Sequence, residues 1–109
     1  MARRKPGLDT GSGNVFADIG VREPEEMLVK AQLAAEIVRI IQSRKLTQTA
    51  AAKALDIDQP KVSALFRGRL RELSIERLVR FLTALHRDVR IVVVERPRRR
   101  RGRLIVDAA

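Results

Sequence analysis

Between residues 24 and 44, apolar side chains recur at threes and fours. Met27, Leu28, Ala31, Ala34, Ala35, Val38 and Ile41 mark a stripe that Leu33, Ile37 and Ile40 widen. That period predicts one amphipathic helix from Pro24 to Ser43 or Arg44. Pro24 suits a first helical position, and Glu23, Glu25 and Glu26 sit where the helix dipole is positive. Arg39, Arg44 and Lys45 fall near the opposite, negative end. Three short helices follow. Thr47 caps Gln48–Leu55, which contains four alanines, and Asp56, Ile57 and Asp58 form a break. Asp58 caps Gln59–Arg67, whose first turn tolerates Pro60 because no intrahelical N–H is needed there. Gly68 supplies a stop that can turn left-handed. Ser74 caps a fourth helix from Ile75 to about His86, with Leu78, Val79, Leu82 and Leu85 facing inward.

The pattern then shifts. Residues 88–95 are short and rich in β-branched side chains, which predicts a strand, and Arg96-Pro97 ends it because proline cannot continue a ladder. Residues 104–106 are a weaker candidate for a second strand. At the other end, residues 1–13 hold Pro6, three glycines and Ser12 without an apolar period, and read as a flexible arm. Gly11-Ser12-Gly13 follows no strand and lacks the lysine of a phosphate-cradling loop, so a linker is the simpler reading. Residues 14–21 fit a helical turn or a short extended stretch, with Phe16 and Ile19 expected to lie against the domain.

Composition narrows the chemistry. Val, Ile, Leu and Phe supply 34 of the 109 residues, enough for one small core. Cysteine is absent, which excludes disulfides, thiolate metal sites and a thiol nucleophile. The single histidine, His86, lacks partners for zinc or for a Ser-His-Asp set, and a place near a helix C-terminus accounts for it. No convergent nucleophile, base or metal set is visible, so neither an enzyme nor a cofactor or metal is expected. The chain has no apolar run of the length that spans a bilayer and no secretion-signal core, and reads as soluble and cytoplasmic. Its net charge of +10 points to polyanions, nucleic acid first. Half of that charge lies in the last fourteen residues, a solvated basic tail around residues 98–101 and Arg103, so basicity alone does not define a folded site.

The informative segment is 46–68. Two helices of about eight residues, joined by a three-residue break, must cross steeply, and Ala51 and Ala52 let them approach. Leu55, Ile57, Val62 and Leu65 fill the core beneath. The N-terminal turn of the second helix is left protruding, with Gln59, Lys61, Ser63 and Ala64 exposed and Arg67, Arg69 and Arg71 flanking. A major groove admits such a helix, base edges need donors and acceptors of these types, and phosphates need cations and helix-start amides. Any helical bundle exposes some Gln, Lys and Arg. The short helices, the small residues at their crossing, Gly68 and the basic loop after it argue for a DNA-binding helix-turn-helix together.

Over residues 35–85 these features resemble the lambda-repressor/Cro-type, or XRE-type, helix-turn-helix proteins. With the lead at residues 14–20 and the strand after the fourth helix, the whole chain is most similar to HigA-like antitoxins of toxin–antitoxin pairs. The resemblance implies that Gln48 contacts a phosphate, that Gln59 holds the first base-reading position with Lys61 and Ser63 beside it, and that Arg67 approaches the backbone. It also implies a toxin partner resembling the RelE/HigB ribonucleases. Asp56 stands where the family usually has glycine, and Pro60 and Ala64 stand where many relatives carry long polar readers.

A lone strand leaves its N–H and C=O groups unpaired. Residues 89–95 therefore need a partner: residues 14–19, residues 104–106 or a second copy. The second copy is favoured, giving an antiparallel pair across a two-fold axis with Val89, Ile91, Val92, Val93 and Val94 at the dimer interface. Such a homodimer reads an inverted-repeat operator with half-sites roughly 34 Å apart. The expectation is a mainly α, lambda-repressor-like helix-turn-helix bundle of four or five helices with one C-terminal β-strand. Its arm covers 1–13, its DNA-binding domain 14–95 and its basic tail 96–109. Function follows as a double-stranded-DNA-binding repressor, the antitoxin of a pair, with a stand-alone phage-type regulator as the alternative. A protein-interaction module whose arginine tail binds RNA or acidic surfaces is the reading from another class.

Overall fold

The computed structural model describes residues 23–97 and 100–108. Four helices occupy them: α1 (Glu23–Ser43), α2 (Gln48–Leu55), α3 (Gln59–Arg67) and α4 (Ile75–Ala84). The expected arm and the lead at 14–21 lie outside the described residues. α1 is the backbone of the bundle. It packs chiefly along α4, while α2 packs chiefly on α3.

The buried face of α1 is Val29, Leu33, Ala34, Ile37, Ile40 and Ile41, with the Lys30 stem alongside and its ammonium 3.6 Å from Glu26. Met27, Leu28, Ala31 and Ala35 point outward instead. The helix carries more apolar residues than one face can bury, so periodicity alone places the stripe a fraction of a turn away from the observed one. Ile37 and Ile41 of α1 and Leu78 and Leu85 of the α4 region are fully buried in the same core. Ala51, also fully buried, and Ala52 lie at the crossing of α2 and α3, over Leu55, Val62 and Leu65.

Caps fix the helix starts. The Thr47 hydroxyl accepts from Ala50 N–H at 3.0 Å, and the Ser74 hydroxyl from Arg77 N–H at 3.0 Å. Asp58 has the backbone of a cap but its carboxylate makes no capping bond. Pro60 has no N–H, and the Lys61 N–H is already taken by the Asp58 carbonyl at 3.0 Å.

All four described helices close in the same way. A residue turns left-handed at Lys45, Asp56, Gly68 and His86, with φ of 57°, 57°, 73° and 67°. The next amide then reaches back five residues: Leu46 to Ile41, Ile57 to Ala52, Arg69 to Ala64 and Arg87 to Leu82, at 2.9–3.1 Å. Only one of the four left-handed residues is glycine. α4 ends at Ala84, two residues before the expected boundary, because Leu85 leaves helical geometry and His86 makes this turn. Arg44 Nη2 donates to the Leu85 carbonyl at 2.6 Å and ties the end of α1 to the end of α4.

The expected C-terminal strand is not formed: among the described residues there is no strand, and 89–97 run irregularly. The reason is the missing ladder. Residues 104–106, one candidate partner, are drawn elsewhere, since the Leu104 N–H donates to Glu25 Oε2 at 2.6 Å and Leu104 and Val106 pack on the core. Val89 is half-buried against that core. Ile91, Val92, Val93 and Val94 are left exposed, Val93 to 93%. A pairing of this segment across a dimer is likewise not part of the single-chain fold.

Candidate nucleic-acid interface

The face that could meet a duplex is built by the two short helices and their turn. At the start of α2 the Thr47 side chain satisfies Ala50 and its carbonyl satisfies Ala51 at 2.8 Å. Among the described residues nothing accepts from the N–H groups of Gln48 and Thr49, which lie at the positive end of the helix. An open hollow of about 330 Å³ joins Thr49 and Lys53 of α2 to Asp56, Asp58 and Gln59. It sets Gln59 beside the first turn of α2. The left-handed Asp56 makes this closeness possible, because it reverses the chain within the three residues between helices.

Val62 and Leu65 bury one side of α3, and the other side is open. Successive residues turn by about 100°, so Pro60, Ala64 and Arg67 run down the middle of the outward face. Gln59 and Ser63 lie on one flank. Lys61 lies on the other, about 160° around the helix from Gln59. Gln59, Lys61 and Arg67 are exposed, and Ser63 and Ala64 half-exposed. The middle of the strip thus offers a pyrrolidine ring and a methyl group, with polar readers on both edges.

Arg69 and Arg71, in the loop before α4, are exposed as well. Among the described residues, Lys61, Arg67, Arg69 and Arg71 take no part in an ion pair. Lys30 pairs with Glu26 and Arg39 with Glu36, both within α1. Among the described residues no carboxylate neutralises the basic rim of α3. Gln48 is half-buried at the head of α2. Sequence reasoning missed Thr49 and Lys53, whose approach to Gln59 depends on how α2 and α3 cross. It also missed the left-handed Lys45 and His86, for which the residue type gives no signal.

Among the described residues, no group of three or more His, Asp or Glu could hold a metal, and no helix is long and apolar enough to cross a membrane. Two short helices packed on each other, with the first turn of the second exposed beside a basic loop, define a helix-turn-helix domain of DNA-binding regulators. The family model described as "Helix-turn-helix domain" matches residues 15–94. A solved structure described as a transcriptional regulator of the XRE family is 44% identical, with a TM-score of 0.76, covering 81% of this chain and 100% of its own. No curated protein matches. The chain belongs to the XRE family of helix-turn-helix transcriptional regulators.

Proposed function

We propose that the protein is a sequence-specific repressor that docks α3 in the major groove of its operator as a homodimer. The observation that carries this reading is the exposed strip of α3, with Arg67 along its middle, Arg69 and Arg71 in the loop beyond it, and the head of α2 beside it, none of these arginines ion-paired among the described residues. Gln59 and Ser63 read base edges on one flank, and Lys61 reaches a base or phosphate on the other. Pro60 and Ala64 make apolar contact, as alanine does with a thymine methyl. Gln48 and Arg67 hold the backbone.

The second copy pairs through Val89 and residues 91–94, and the exposed apolar row of 91–94, outside any ladder among the described residues, suits an added strand. Within this reading the chain is the antitoxin of a pair. That role is what the sequence's resemblance to HigA-like antitoxins implies, and co-expression with the product of an adjacent gene tests it through recovery of a complex.

Selection from random duplex DNA is expected to recover an inverted repeat with half-sites about 34 Å apart. Gln59→Ala relaxes preference at one position by roughly 1–3 kcal/mol. Arg67→Ala or Arg69→Ala weakens binding to every sequence and lowers the salt slope by about 1. If Gln59→Ala and Lys61→Ala together leave affinity and preference unchanged, α3 is not the reading helix.

A further inference from the structure

The fold makes no use of the Asp58 carboxylate. An aspartate at this position ordinarily accepts from the second or third amide of its helix. Here Pro60 has no N–H and the Lys61 N–H is held by the Asp58 carbonyl at 3.0 Å, so the side chain makes no capping bond. Among the described residues no cation pairs with it either, although Lys53 lines the same hollow. Asp56, the other carboxylate of that hollow, is accounted for by its left-handed turn. Asp58 is extended, at φ −71° and ψ 149°, a conformation open to any residue. It is exposed.

Its place is fixed by Gln59. The two are consecutive and line one hollow. Along the axis of α3 they are about 1.5 Å apart, less than half the roughly 3.4 Å between base pairs. A helix that enters the major groove by its first turn therefore brings both to the same base pair or to adjoining ones. A carboxylate can only accept there, and the phosphates repel it unless a base edge offers a donor. Guanine presents two acceptors in the groove, and thymine an acceptor and a methyl group. Adenine sets its amine beside the N7 acceptor, whereas cytosine presents the N4 amine alone.

We propose that Asp58 is a specificity-determining residue, whose carboxylate accepts a hydrogen bond from the N4 amine of a cytosine in the base pair next to the one Gln59 reads. The proposal rests on α3 being the reading helix. It adds an acidic reader that demands C·G at one position of the half-site and penalises the other pairs there. It also makes binding sensitive to one modification of the DNA. In a duplex one N4 hydrogen pairs with guanine and the other faces the major groove, so N4-methylation replaces the hydrogen that Asp58 needs.

The test uses the full chain, with selection from random duplex DNA and titration of the recovered site at one fixed salt concentration. The wild type is expected to select C·G next to the position that Gln59→Ala relaxes. Asp58→Ser keeps a good capping residue, so Tm should hold, while preference for that C·G pair should fall at least about fivefold. Asp58→Asn should move the preference there to A·T, since asparagine pairs with adenine N6 and N7. N4-methylcytosine at that position should weaken wild-type binding at least about fivefold and Asp58→Ser binding by less than about twofold. An Asp58→Ser protein that keeps every base preference of the wild type overturns the proposal, as does equal sensitivity of the two proteins to the methylated site. If Gln59→Ala still relaxes its own position, the acidic reader alone is refuted. If neither change alters any preference, the reading helix falls with it.

Discussion

The helix-turn-helix segment, residues 47–71, and the C-terminal segment, residues 89–106, obey different rules. In the first, most local preferences agree with the fold, the Asp58 carboxylate excepted. Thr47 caps, Ala51 and Ala52 permit a close crossing, Asp56 and Gly68 turn left-handed, and Val62 and Leu65 bury what the pattern says they should. In the second, the β-branched pattern favours a strand, yet among the described residues no neighbour completes it. Its two ends are held by Val89, Leu104 and Val106, while Ile91 and Val92 between them stay exposed at 81% and 76%. A local pattern becomes structure when its partners are a few residues away. When they are not, it remains an unfilled edge.

The contrast can be broken or sharpened by substitution. Leu65→Ala, beneath the α2–α3 crossing, is expected to destabilise by about 2–5 kcal/mol, whereas Leu104→Ala should cost about 1 kcal/mol or less. Denaturant unfolding of both variants checks this, and similar losses would make the two segments one cooperative unit. Val93→Asp should change single-chain stability by less than about 0.5 kcal/mol, because the side chain touches little. It should nonetheless abolish a dimer paired through this edge, which sedimentation reads directly. A dimer that survives Val93→Asp places its interface elsewhere. The smallest effects lie at the helix ends. Gly68→Ala should lose about 1 kcal/mol through backbone strain alone, since a Cβ there meets nothing within 4 Å. Asp56→Gly should return about 0.5 kcal/mol, the left-handed cost less glycine's extra entropy. Thermal melts resolve both signs.

Legibility followed the same division. The bounds of α2 and α3 could be read because threonine, aspartate, proline and glycine act within one turn of their own position. The end of α4 could not, since His86 adopts a conformation its type does not advertise. The stripe on α1 was misplaced because Met27, Leu28, Ala31 and Ala35 are apolar without being needed. Exposure of Gln59, Lys61 and Arg67 was legible from the apolar positions opposite them. The separation of Gln59 from Lys61 onto opposite flanks follows only when the helix is built. Contact between Leu104 and Glu25 joins residues 79 apart and carries no sequence pattern at all.

The guanidinium of Arg44 on the Leu85 carbonyl sits where the chain leaves the last helix for the C-terminal segment. It acts there as a rivet. The end of α4 is thereby held to the end of α1, and the C-terminal segment leaves the bundle from a fixed point next to the start of α2.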